Sequence, residues 1–365
     1  MTDTLLHAYL PLLFWPGLGV ILARFLPEAW PRLIGRGLYW VGIPLEVFAL
    51  AHSTDFSDSV GLVPLITALT LVGSLGLAWI TLSWITWRAE QEKRSPLPDP
   101  LPDPSPEPSQ VAQASDATDN LSSLDPVESK PREPVLSPPP IPPIDYWRDP
   151  ARRGSFVLSS MIANTGFVGL AIAPSLVSDS YLSWIVFYSV TQNVVGTYGI
   201  GVFLASYFGR SSQPGLSWGQ VRDVLTVPSL WAFIVGTATH SLAFAPLVDG
   251  ALEVSVWVVI AVALSLMGIR LSQLKGWSSL KWAIAPTLLK VLVIPALVGL
   301  ITTLIGLPSE ACLAVVLMAG MPSAFAGLIL AEEYELDREL IASSIVLTSG
   351  LLLLTIPLWL LLFKV

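Results

Sequence analysis

Apolar runs of membrane length recur along this chain of 365 residues, at roughly 7–25, 35–52, 61–87, 154–176, 180–208, 226–244, 252–274, 281–305, 309–333 and 339–363. About 20 such residues cross the ~30 Å hydrocarbon core as a helix. Lipid offers no partner to main-chain N–H and C=O groups, and these runs lack the alternation of a barrel strand, so helix is the state they must take. Composition agrees: 53% of residues are hydrophobic and 13% charged, against roughly a quarter charged in a soluble domain. The expected fold class is an all-α integral membrane protein of ten transmembrane helices.

Basic residues set the expected orientation, because Lys and Arg collect in cytoplasmic loops. Arg24, Arg32 and Arg36 flank the first connection, Arg210 and Arg222 the fifth, Arg270, Lys275 and Lys281 the seventh, and Arg338 the ninth. The even-numbered connections carry none. Odd connections are therefore expected in the cytoplasm and both termini outside, with the chain in a cell membrane. The net charge of −8 says little about partners; no basic patch suggests nucleic acid, and Met1 to His7 lacks the basic start of a signal peptide. Cys312 is the single cysteine, so no disulfide framework is expected.

Residues 88–152 interrupt the apolar pattern with an acidic, proline-rich stretch, including Pro96-Leu97-Pro98-Asp99-Pro100 and Pro138-Pro139-Pro140-Ile141-Pro142-Pro143. Such a sequence cannot bury enough apolar surface to offset its ordering entropy. It is expected to be a disordered cytoplasmic linker; a regulatory arm is the functional alternative. Asn120-Leu121-Ser122 fits a glycosylation sequon, but on the cytoplasmic side it would be accidental. The expected organisation is helices 1–3 over residues 1–87, the linker 88–152, helices 4–5 over 153–209, a cytoplasmic loop 210–225, and helices 6–10 over 226–365.

Division near residue 215 gives five spans and five spans, and an odd number per half inserts the halves with opposite topology, the layout of inverted-repeat transporters. At one offset Phe167 meets Phe325, Gly169 meets Gly327, Leu170 meets Leu328 and Ala173 meets Ala331, each pair in the fourth span of its half. Pro322, with no N–H and a ring that clashes with the preceding turn, should interrupt span nine; Asn164-Thr165-Gly166 is the flexible counterpart in span four. The alternative is a kink and a small-residue packing face.

These segments carry a family resemblance. Arg153-Gly154-Ser155-Phe156-Val157-Leu158 through Asn164-Thr165-Gly166-Phe167-Val168-Gly169-Leu170 resembles the fourth helix of auxin efflux carriers and their bacterial relatives. Met321-Pro322-Ser323-Ala324-Phe325 through Glu332-Glu333-Tyr334, with Asp337, Glu339-Leu340 and Ala342-Ser343, resembles the ninth and tenth. Val227-Pro228-Ser229-Leu230 is similar to the opening of the sixth, and Lys290-Val291-Leu292-Val293-Ile294-Pro295 to the eighth. The resemblance implies an inverted 5+5 repeat with broken helices 4 and 9 crossing at mid-membrane. It also implies a scaffold of helices 1, 2, 6 and 7, a moving unit of helices 3–5 and 8–10, and elevator-type transport of a small organic anion. Ala171 stands where the family usually has proline, and the long loop follows helix 3 rather than helix 5, so auxin itself is not implied.

The candidate substrate site gathers Asn164, Thr165, Gly166, Pro322 and Ser323 at the breaks, with Gln192, Asn193 and Thr348 at matching depth in spans five and ten; helix–helix hydrogen bonding is the alternative role for the polar side chains. Glu46 and Lys290 are candidates for proton or charge coupling. For Glu46 the alternative is a hydrated mouth, and for Lys290 a side chain snorkelling to the cytoplasmic interface. His52 and His240 are expected at wet outer ends; no metal-ligand spacing is present and no cofactor is expected. The partners expected are a small organic anion and the lipid bilayer, with a homodimer through the scaffold helices left open. HExxH, GxSxG, a Cys–His arrangement and a Walker A sequence are absent, which points away from an enzyme or an ATP-driven pump. The competing reading is a transporter-like receptor signalling through the proline-rich arm.

Overall fold

The computed structural model describes residues 2–27, 29–53, 61–94, 143–209, 218–273 and 279–363. Its regular elements are helices, and among the described residues the sole strand-like feature is an isolated bridge between Ala163 and Ser323. We number the principal helices α1 (Thr2–Leu22), α2 (Trp30–Ser53), α3 (Leu62–Arg94), α4 (Pro150–Met161), α5 (Thr165–Ser175), α6 (residues 182–209), α7 (Trp218–Leu225), α8 (Pro228–Thr239), α9 (Pro246–Ser272), α10 (Leu280–Leu304), α11 (Ser309–Ala319), α12 (Phe325–Glu333) and α13 (Arg338–Phe363).

Helix starts follow local chemistry. Pro150, Pro228 and Pro246 occupy first-turn positions, where a missing N–H costs nothing. The Asp149 carboxylate accepts from the Ala151 N–H at 2.9 Å, and Asp337 caps α13 through the Leu340 N–H at 2.9 Å. Gly306, at φ +80°, takes the left-handed turn after α10.

Among the described residues five helices, α2, α3, α9, α10 and α13, are long and apolar enough to cross a membrane, and α7 with α8 forms a sixth candidate bent by 50°. The expected spans 154–176 and 309–333 fall into shorter helices because the chain breaks inside them, while 7–25 and 180–208 are the continuous helices α1 and α6. The outer surface is apolar: Val41, Leu69, Leu354 and Leu361 are exposed, as suits contact with lipid.

Small residues set the closest packing. α1 lies on α9, where a Cβ on Gly19 would stand 2.0 Å from the Ser265 carbonyl oxygen and one on Gly268 2.0 Å from that of Pro16. α2 lies on α8, with Gly236 against the Phe48 backbone, and α2 also packs on α9. α1, α2, α8 and α9 thus form one group, while α4, α6, α10, α11 and α13 pack on one another and on α3. Gly268→Val should force α1 off α9 and cost about 1–3 kcal/mol. The measurement is the apparent melting temperature in detergent, and an unchanged value would contradict this backbone contact.

The folded chain reaches further into the expected linker than hydropathy indicates. α3 continues to Arg94, and a one-turn helix, Pro143–Tyr146, precedes a buried Trp147. Tyr146 stacks on Trp282 with centroids 4.2 Å apart, Trp147 meets Phe156 edge-on, and Arg152 lies over the Tyr146 ring and pairs with Asp337 at 3.3 Å. The boundaries 88 and 152 therefore move inward. A charged helix extension and an aromatic clamp leave no hydropathy signal. The proline runs and the Asn120 sequon lie outside the described residues. Within the expected loop 210–225, residues 218–225 are the helix α7.

Candidate functional site

The site is built around two interruptions. After Met161 the chain straightens: Ile162 is extended and Asn164 has φ −80°, ψ 62°. The Asn164 side-chain oxygen then accepts from the N–H groups of Phe167 (3.3 Å) and Val168 (3.4 Å), capping α5. On the other side α11 ends at Ala319, Pro322 supplies no N–H, and α12 starts after an extended Ala324. The two extended stretches lie antiparallel, with the Asn164 N–H donating to the Pro322 carbonyl at 2.7 Å and the Ala324 N–H to the Ile162 carbonyl at 3.0 Å.

Both interruptions therefore fall at the residues expected from sequence, and they meet. The main-chain groups at the two breaks do not stand unpaired. A buried N–H or C=O without a partner is costly, and the two broken helices satisfy each other crosswise.

The carbonyl end of α4 is served by side chains. The Ser323 hydroxyl donates to the Ser159 carbonyl at 2.7 Å, and the Ser323 N–H donates to the Thr348 hydroxyl at 3.1 Å. The Thr348 hydroxyl in turn donates to the Ser344 carbonyl at 2.6 Å. The Met161 carbonyl receives long contacts from Gln192 Nε2 (3.4 Å) and Lys290 Nζ (3.5 Å). Lys290 does not snorkel; it is buried, with its amine at the carbonyl end of α4. Gln192 and Asn193 sit in a π-wound stretch, Gln192–Gly201, and Lys290 in another, Leu289–Val293; such widened turns often mark functional positions.

The amide ends of α5 and α12 face a cavity of about 20 Å³, lined by Asn164, Gly166, Ala324, Phe325 and Ala326 with Asn193, Tyr198 and Glu46. It has room for one water molecule. Glu46 is 2% exposed and not at a hydrated mouth, and its Oε1 has no hydrogen-bond partner among the described residues. A Cβ on Gly166 would lie 2.9 Å from Asn193 Nδ2 and 3.1 Å from Glu46 Oε1. Glycine is what lets the carboxyl group and the amide approach the first turn of α5. Thr165 is buried there, its hydroxyl without a partner among the described residues.

The structure thus splits the sequence-derived set. Glu46, Asn164, Gly166 and Asn193 surround the cavity; Gln192, Lys290, Ser323 and Thr348 secure the carbonyl side; Pro322 supplies the bridging carbonyl. Tyr198 and the backbone of Ala324–Ala326 escaped the sequence reading, the former because one tyrosine in an apolar span carries no signal. A larger cavity of about 700 Å³ lies at the Ser53 end of α2, lined by Leu50, His52, Leu170, His240, Asp249 and Glu253. His52 is not simply wet: it stacks on Phe244 at 4.2 Å with Nδ1 3.2 Å from the Thr239 hydroxyl oxygen.

A model of the membrane transport protein family matches residues 220–360. An uncharacterized transporter of Methanocaldococcus jannaschii is 26% identical over 207 residues, covering 56% of this chain and 67% of the relative. One of Methanothermobacter thermautotrophicus is 23% identical over 215 residues, covering 58% and 68%. The family match spans α7–α13 and the transporter relatives more than half of the chain, so its sequence is similar to those of membrane transport proteins.

Proposed function

We propose that the protein is a secondary active carrier that moves a small organic anion by elevator-type alternating access. In this reading ten spans form an inverted 5+5 repeat, α4–α5 and α11–α12 being the broken fourth and ninth helices. The group α1, α2, α8 and α9 is the scaffold, and α3–α6 with α10–α13 the moving unit. Both termini lie outside a cell membrane and the linker in the cytoplasm. The observation that carries the proposal is the convergence of two helix N-termini, α5 and α12, on one buried cavity. Helix N-termini bear partial positive charge, the environment that receives a carboxylate, and half-helix ends of this kind hold anionic groups in transporters.

The test is flux into proteoliposomes. Radiolabelled acetate, succinate and benzoate are offered with and without a pH gradient. Saturable uptake with counterflow is expected for at least one of them. Uptake that rises linearly with concentration, or none for any carboxylate while an organic cation enters, would overturn the assignment.

A further inference from the structure

The carboxyl group of Glu46 already occupies the place proposed for the anion. It projects from α2, which packs with α1, α8 and α9, onto Gly166 of α5, beside Asn193 of α6, both in the unit proposed to move. It is buried with Oε1 unpartnered among the described residues, and what remains of the cavity holds one water. No second carboxylate fits there, and two carboxylates in one buried site repel strongly. Access is at hand: Leu50 and Leu170, in the wall of the 700 Å³ cavity, stand one helical turn beyond Glu46 and Gly166.

Resting on the carrier reading above, we propose that Glu46 is a tethered anion that latches the empty carrier. Its carboxylate docks at the half-helix N-termini of the moving unit and competes with the substrate for them. A proton entering from the large cavity neutralises Glu46, the side chain withdraws, and the substrate carboxylate takes its place. When the substrate leaves, Glu46 gives the proton back to the same side, because α2 stays with the scaffold. The proton thus gates loading without being carried across. The titratable group lining the small cavity with Glu46 is the Tyr198 phenol; His52, His240, Asp249 and Glu253 line the large one, and Lys290 contacts the Met161 carbonyl at the other end of the break.

The experiment compares wild type with Glu46→Gln, full length, in proteoliposomes with the pH of each face clamped separately. The probes are radiolabelled acetate, succinate and benzoate. For wild type, KM should fall about tenfold per unit as pH is lowered at the face bearing His52 and Asp249 through the range in which Glu46 is ionised, and level off once it is protonated, since only the protonated fraction is competent; pH at the linker face should leave it unchanged. In Glu46→Gln, KM should be low and flat with pH. A wild-type pH profile retained in Glu46→Gln, or dependence on the linker face, would overturn the latch. A flux-independent arm keeps the two ideas apart. In detergent, at a pH alkaline enough to ionise Glu46, the same anions should raise the melting temperature of Glu46→Gln more than that of wild type, and equal shifts would overturn the latch even if no flux is seen. Absent flux with a larger shift in the variant would instead reject the carrier while retaining the competition at the site. Glu46→Asp, which keeps the charge on a shorter arm, should retain a pH-dependent KM.

Discussion

Asn164→Ala is expected to lower kcat/KM for uptake about tenfold while leaving membrane insertion and oligomeric profile as in wild type. The side-chain oxygen of Asn164 accepts from Phe167 and Val168 and so defines where α5 begins. Losing such a cap costs about 0.5–2 kcal/mol, too little to unfold the protein. The loss is concentrated at the first turn of α5, however, which carries Gly166 and faces Glu46. A shift of 1.4 kcal/mol in the loaded or moving state is a factor of ten. Asn164→Asp separates the two roles. An aspartate caps as well as asparagine, so the α5 start should hold and the melting temperature recover. Its charge, however, is a second carboxylate in the cavity of Glu46, and uptake should stay low. Wild-type uptake in Asn164→Ala would show that the α5 start is not part of the path.

The breaks were legible because their causes are local. Proline has no N–H, and asparagine followed by a small residue and glycine competes with the backbone for its own hydrogen bonds, so positions 322 and 164 announce themselves. What the breaks do to each other was not legible. The crosswise bonds from Asn164 to Pro322 and from Ala324 to Ile162 join residues more than 150 positions apart, and nothing in either segment specifies its partner's register. Hydropathy also gives depth without rotation. Gln192 and Asn193 are adjacent, yet they point to different sides of the helix; one turns to the Met161 carbonyl and the other to Gly166. The same lack of rotation left Lys290 open between the interface and the interior. The aromatic clamp of Tyr146 and Trp147 on Trp282 was hidden for a different reason: it follows a proline-rich stretch whose composition dominated the reading of its neighbours.

Lys290→Glu is expected to be the most damaging single change at the site. The amine of Lys290 is buried, has no acidic partner within ion-pair distance among the described residues, and lies against the carbonyl that ends α4. A cation suits that end of a helix, and an anion there opposes both the helix dipole and the Met161 oxygen. An uncompensated buried charge costs about 3–5 kcal/mol, a large share of the roughly 5–15 kcal/mol that holds a folded chain together. The monodisperse yield in detergent should therefore collapse. Lys290→Met tests the charge without reversing it. It removes the donor to Met161, a loss of about 1–3 kcal/mol, but also removes the desolvated charge, and Gln192 still reaches the same carbonyl at 3.4 Å. The methionine variant should purify with a melting temperature near wild type. If Lys290→Glu instead purifies with wild-type yield and stability, the side chain reaches water, and the carbonyl end of α4 must be stabilised by other groups.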